Sequence, residues 1–150
     1  MKKNKILAVI MMFALVVSAI TVPQKAGATS KTQDEAIAWV NSQLGNGLDY
    51  DGVYGAQCVD LICYYYQFLG AKSPGGNGKD YATNALPSGW TRVQGGAPQK
   101  GDILVYGASS GNQYGHVAIY ESDRVTYHQN FNSHGYVEKV TNITYNKFTN

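Results

Sequence analysis

Cys58 is the residue of this 150-residue chain best placed to attack a carbonyl. It stands where a polar, glycine-bearing loop, Leu48 to Gln57, gives way to an apolar segment of helical spacing. A helix N-terminus presents unpaired N–H groups and the positive end of the helix dipole. That setting favours a thiolate, the nucleophilic form of cysteine, and the same N–H groups suit an oxyanion. The competing reading is a small buried hydrophobe, the ordinary fate of a free cysteine. Cys63, five residues on, is turned by about 140° and raised by about 7.5 Å on a helix. The two sulfurs then point apart, which excludes a disulfide, and Cys63 reads as core.

A nucleophile needs a base. His116 lies in Gly115-His-Val-Ala-Ile-Tyr120, an alternating strand pattern in which Val117 and Ile119 face one way and the imidazole the other. Alone, it would read as a framework histidine. A base in turn needs an orienter, and His128-Gln129-Asn130 supplies two candidates on one strand face, His128 and Asn130. Either could bond the second ring nitrogen of His116, while Gln129 points away. Both could equally be a polar strand end. His134 sits in Asn-Ser-His-Gly, a turn, and reads as solvated. Asp49-Tyr-Asp51 precedes the cysteine and Asp60 follows it by two. With a backbone carbonyl from Val53 or Gly55, these acids could hold a hard cation, calcium by its ligand chemistry. The spacing is not that of an EF-hand, and the alternative is solvated turn acids, with Asp60 stabilising a first helical turn.

The elements that must position these groups are legible in outline. Thr32-x-x-Glu35 fits a capping box, with Ile37, Val40 and Leu44 at helical spacing behind it and Gly45-Asn46-Gly47 as the stop. Cys58 to Leu69 forms a second helix ending at Gly70, with Leu61, Ile62, Tyr65, Tyr66 and Leu69 on one broad buried face. Residues 71–100 are rich in Gly, Pro, Ser and Asn and read as a long irregular connection, with one short helix around Tyr81 to Ala85. Strands are expected at Asp102–Tyr106, His116–Glu121, Val125–Gln129 and Tyr136–Val140, with a weaker one at Ile143–Tyr145. Helices first and antiparallel strands after them make an α+β fold.

The first thirty residues are a separate object. Lys2, Lys3 and Lys5 precede an apolar run from Ile6 to Ile20, followed by Ala26-Gly27-Ala28. This is the layout of a secretory signal peptide, and the run is shorter than the roughly 20 residues a spanning helix needs. We therefore expect a cleaved signal at 1–28 and a single domain at 29–150, with no stable membrane insertion afterwards. Cleavage removes four of the twelve basic residues and none of the ten acids, turning a net charge of +2 into −2. No basic patch remains, so nucleic acid is not an expected partner. Two cysteines also exclude a disulfide scaffold and the zinc-ribbon patterns.

Taken in order, Tyr54-Gly-Ala-Gln-Cys58-Val-Asp60, Pro98-Gln-Lys-Gly101-Asp102-Ile103, Gly115-His116-Val117-Ala118-Ile119 and His128-Gln129-Asn130-Phe131 resemble the CHAP family. These are the cysteine- and histidine-dependent amidohydrolases/peptidases related to NlpC/P60. The resemblance spans roughly Ala36 to Tyr145. It implies a papain-like α+β fold, N-terminal helices packed on a small antiparallel sheet, and cleavage of peptidoglycan amides. It makes Cys58 the nucleophile and His116 the base, in the order of the papain-like arrangement. Some members bind calcium in an Asp-x-Asp loop before the cysteine; Asp49, Asp51 and Asp60 match that layout, with Val53 and Gly55 at backbone-ligand positions. No organic cofactor is implied. Many members carry Glu where His128 stands, and the related NlpC/P60 enzymes can use a histidine there. A neutral imidazole stabilises an imidazolium less than a carboxylate does, so Asn130 is expected to contribute as well.

The expected protein is a secreted, monomeric hydrolase at the cell wall of a bacterium, Gram-positive by this reading. It would cut either the sugar–peptide amide or a peptide bond of peptidoglycan. Gln57 would help the Cys58 N–H hold the oxyanion, unless it points elsewhere, and Tyr50, Tyr54, Tyr114 and Trp90 would line the substrate groove, although Tyr114 and Trp90 could equally pack on the core. Two rivals use the same residues: a catalytically silent wall-binding module, and an antibacterial toxin with the same chemistry.

Overall fold

The computed structural model describes residues 31–142. The signal segment and the weak strand at 143–145 lie outside the described residues. Among the described residues, helix α1 (Gln33–Ser42) and helix α2 (Cys58–Phe68) precede a 3₁₀ segment, Gly78–Ala82, and four strands. The strands are β1 (Ile103–Tyr106), β2 (His116–Ser122), β3 (Val125–Phe131) and β4 (His134–Thr141). They form one antiparallel meander in the order β1-β2-β3-β4, and the fold is α+β.

Helix α1 begins with the capping box read from the sequence. Glu35 N–H donates to Thr32 Oγ1 at 3.2 Å, and Thr32 N–H donates to Glu35 Oε2 at 2.7 Å. The helix stops at Ser42, earlier than the apolar spacing suggests, and Leu44 is left 41% exposed. In α2 the expected face is the buried one: Leu61, Ile62, Tyr65, Tyr66 and Leu69 all enter the core. They meet Val117 and Ile119 of β2, Tyr127 of β3 and Val137 of β4. Each large apolar side chain removed from water here contributes about 1.5–3 kcal/mol, enough to seat α2 firmly against β2 and β3.

The long connection is better ordered than its composition suggests. Its 3₁₀ segment begins at Gly78, three residues earlier than expected, because Asp80 Oδ2 accepts from Asn77 N–H at 2.8 Å and fixes the start. Tyr81 is buried beneath it, its hydroxyl 2.6 Å from Ser73 Oγ. Gly78 presses directly on the first residue of β2: a Cβ there would lie 2.7 Å from His116 Cα. Lys79 N–H donates to Tyr114 O at 2.9 Å, tying the same segment to the residues before β2.

The β3–β4 turn is Asn132-Ser133, both at positive φ (49° and 64°), the backbone a tight hairpin requires. His134 is therefore not in the turn but opens β4. It bonds Glu138 Oε1 at 3.1 Å and stacks on Tyr136.

Candidate active site

Cys58 is the first residue of α2. The helix start is held by Asp60, whose Oδ2 accepts from Gln57 N–H at 2.7 Å. The N–H groups of Val117, Val59 and Cys58 itself are turned to the sulfur and lower its proton affinity. Burial is the larger effect, and it pushes the Cys58 thiol above its ordinary value, with the nearby Asp60 adding to the rise. The expectation of a preformed thiolate is thus corrected: desolvation outweighs the helix-end donors, and the resting group is a thiol. The Val117 contact also seats the sulfur beside the residue that follows His116.

His116 opens β2 opposite Tyr106. Its Nε2 lies 3.0 Å from His128 Nδ1 on β3. His128 is 1% exposed, and its remaining nitrogen, Nε2, lies 2.7 Å from Thr126 Oγ1. The two imidazoles are nearly parallel, 17° apart, and Phe131 and Tyr106 close around them with centroids 6.0 Å from the His116 ring. This apolar box disfavours the imidazolium. Burial lowers the His116 pKa to about 4 and that of His128 to about 3, the latter helped by repulsion from His116. Both rings are neutral at pH 7. Because Nε2 of His116 is engaged by His128, Nδ1 is the nitrogen left for another partner.

Of the two orienters read from the sequence, the structure brings His128 to His116. Asn130 goes elsewhere: its Nδ2 donates to Gln57 Oε1 at 3.1 Å. The strand alternation fails there because Asn130 adopts positive φ (56°) at an irregularity between Gln129 and Phe131. Gln57 is doubly engaged, since its Nε2 also donates to Tyr54 O at 2.9 Å; one Nε2 hydrogen remains.

Cys58, His116, His128, Asn130, Gln57 and Tyr54 line one cleft of about 1330 Å³. Tyr54 stands at its edge, 91% exposed and at φ 66°. Tyr114, 57% exposed, lines it too. Tyr50 instead packs edge-on against Tyr64, and Trp90 stacks on Tyr66 at 4.2 Å, away from the cleft.

Asp49, Asp51 and Asp60 each offer a carboxylate oxygen within 4.8 Å of the others. One oxygen of each is taken: Asp49 Oδ1 accepts from Gly52 N–H and Asp51 Oδ1 from Val53 N–H, both at 2.8 Å, and Asp60 caps α2. Burial, with repulsion from Asp51 and Asp49, raises the Asp60 pKa. Val53 and Gly55 lie in the same loop. Cys63 is unpaired with Cys58 and lies 3.7 Å from the Tyr81 hydroxyl, as a packing residue would.

Two residues that the sequence reading passes over matter here. Gln129 points away from His116, and that direction leads into the loop before Cys58: its Nε2 donates to Gln57 O at 2.6 Å and to Leu48 O at 2.7 Å. Thr126 sits two residues before His128 on the same strand face, a spacing that could have found it.

Comparison with known proteins gives the chain a family. A family model described as "CHAP domain" matches residues 45–130, which include both aspartates of the loop and every residue named around the cleft from Gln57 to Asn130. The endolysin PlyTW of Staphylococcus phage Twort is 34% identical over 94 residues, 59% of this chain and 20% of that protein. The crystal structure of Ly7917 superposes with a TM-score of 0.63 at 26% identity, covering 79% of this chain and 58% of that one. The wild-type endolysin LysIME-EF1 gives 0.61 at 28% identity, covering 75% and 58%. The chain thus spans a fifth of the phage endolysin it resembles and just over half of these solved chains. With more than half of its length matched, and with cysteine at a helix start and histidine on the facing sheet, the chain belongs to the CHAP domain family.

Proposed function

We propose that this protein is an exported peptidoglycan hydrolase that cuts an amide bond through a cysteine acyl-enzyme. One observation carries the reading: the cleft that holds Cys58 at a helix N-terminus also holds His116 with its Nε2 occupied by His128 and its Nδ1 left over. The rest state is a thiol beside a neutral imidazole. As the substrate carbonyl arrives, His116 Nδ1 takes the thiol proton and Cys58 Sγ bonds to the carbonyl carbon. The Cys58 N–H and the remaining Nε2 hydrogen of Gln57 hold the oxyanion. His116 then gives its proton to the departing amine, leaving a thioester. Water, deprotonated by His116, attacks the thioester, and the thiol returns as the acid product leaves. Asn130 holds Gln57, while Tyr54 and Tyr114 offer flat faces to the glycan or stem peptide.

Calcium fits the acidic loop. Three carboxylates, one of them buried, converge to within 4.8 Å of one another, and hard oxygen donors suit that ion. Asp49, Asp51 and Asp60, with carbonyls of Val53 and Gly55, would hold it. Its chemistry there would be charge neutralisation that stiffens the loop leading into Cys58.

The test is digestion of purified bacterial walls, with released fragments weighed by mass spectrometry. Wild-type protein should release muropeptides with a newly freed amine, whose identity names the bond. Folded Cys58→Ala should release none, and continued release by that variant would end the cysteine mechanism. The silent wall-binding module is favoured by the upward-shifted thiol; binding to walls without release by the wild-type protein would select it.

A further inference from the structure

His116, His128 and Thr126 form an unbroken hydrogen-bonded line: 3.0 Å from His116 Nε2 to His128 Nδ1, then 2.7 Å from His128 Nε2 to Thr126 Oγ1. Every member of this line can donate or accept, so it has two proton arrangements. In one, His116 Nε2–H donates to His128 Nδ1, and His128 Nε2–H donates to Thr126. His116 Nδ1 then carries a lone pair and can receive a proton. In the other, every bond is reversed: the threonine hydroxyl donates to His128, His128 Nδ1–H donates to His116, and His116 holds its proton on Nδ1. That second arrangement cannot accept a proton from a thiol.

A carboxylate at position 128 could only accept, and would enforce the first arrangement by itself. An imidazole passes the choice to the next residue, and that residue is Thr126. It is 2% exposed, behind His128, and no substrate in the cleft could reach it. Resting on the cysteine-hydrolase reading, we propose that Thr126 is a positioning residue that sustains the competent tautomer of the catalytic base, which without its oxygen would strand a buried N–H. Its oxygen accepts the His128 Nε2 proton, and so keeps the proton of His116 on Nε2 and the Nδ1 lone pair free.

Removing the hydroxyl would strand a buried N–H in the competent arrangement but only a lone pair in the reversed one. Buried orphan donors are the rarer and costlier of the two, so the line should flip. Thr126→Val is nearly isosteric and keeps the strand side chain branched. It should lower kcat roughly 10- to 1000-fold with KM unchanged, and Thr126→Ser should restore most of the rate. Imidazole ¹⁵N shifts of the folded Cys58→Ala protein give a readout independent of catalysis. They should show protonated Nε2 on both His116 and His128, and Thr126→Val in that background should move the His116 proton to Nδ1. An Nδ1-protonated His116 with Thr126 intact overturns the proposal even if no valine variant folds. So does a rate loss without a tautomer change, a tautomer change without a rate loss, or failure of serine to rescue. Wall digestion by Cys58→Ala would instead sink the cysteine reading, whatever the shifts show.

Discussion

Gln129 Nε2 donates to the carbonyl of Gln57 at 2.6 Å, so strand β3 grips the peptide immediately before the cysteine. The same amide group donates to Leu48 O and accepts from Leu48 N–H, at 2.7 and 2.9 Å, from a side chain with no exposure. One residue next to His128 therefore fixes both ends of the loop that carries the acidic cluster. The base and the nucleophile are positioned by adjacent residues of one strand.

Gln129→Leu should separate them. It leaves the carbonyl and N–H of Leu48 without their partner and takes one donor from Gln57 O, which keeps Asp60 N–H at 3.1 Å; each buried orphan costs about 1–3 kcal/mol. The thermal midpoint should drop by several degrees, and wall digestion should fall at least about tenfold, by misplacement of the attacking group. Unchanged melting and digestion would mean that the clamp carries no load.

The imidazole pair gives stability a direction in pH. Both rings are neutral in the folded protein, with pKa values lowered to about 4 and about 3. Unfolded histidines take up protons below about 6.5. Between those limits the unfolded chain binds more protons, so stability is full above pH 6.5 and declines as pH falls toward 4 and then 3. Each tenfold loss of proton affinity on folding is worth about 1.4 kcal/mol, and the decline should therefore reach a few kcal/mol. Urea midpoints from pH 7.5 to 4 should show it, and His128→Gln should flatten the curve. An identical slope in that variant would place the effect elsewhere.

Activity should share the histidine's direction on its acid side. His116 stays neutral well below the ordinary histidine range, so kcat/KM should hold through pH 5.5 and fail nearer 4. His128→Glu would place a carboxylate against the ring, favour the imidazolium, and carry the acid limb to higher pH. The groups facing His116 are His128, Tyr106 and Phe131, none of them an acid that would produce such a shift already. An acid limb near 6.5 in the wild-type protein would show that the rings are hydrated in solution.

Chelation tests the acidic loop. Calcium should raise the thermal midpoint, EGTA should lower it, and Asp49→Asn should abolish the difference. Digestion should follow, because the loop ends at Gln57. Equal melting curves with and without calcium would leave Asp49 and Asp51 as turn residues that cap Gly52 and Val53.

Much of this is legible in residue types because it is local. The capping box, the buried face of α2, Cys58 at its start and the strand of His116 depend on neighbours within one element. The pairing of His128 with His116 crosses from β3 to β2, but a short hairpin sets those two strands side by side. What escapes depends on distance along the chain. Gln129 meets Leu48 across 81 positions, and alternation says only that it leaves the His116 face. Asn130 leaves its expected partner because a positive φ interrupts the strand. The thiol is misjudged from sequence because the helix-end donors are local, whereas the burial that outweighs them comes from the folded sheet.

Someone recombining this domain would take the glycine-rich stretch between α2 and β1 for spare sequence, open to trimming or grafting. Gly78 argues otherwise. Its missing side chain is the room into which the backbone of His116 is set. A transplanted segment bearing any larger residue there would displace the imidazole along with its strand. The safer crossover points lie outside that stretch, so the irregular third of the domain must travel with the catalytic sheet as one inherited block.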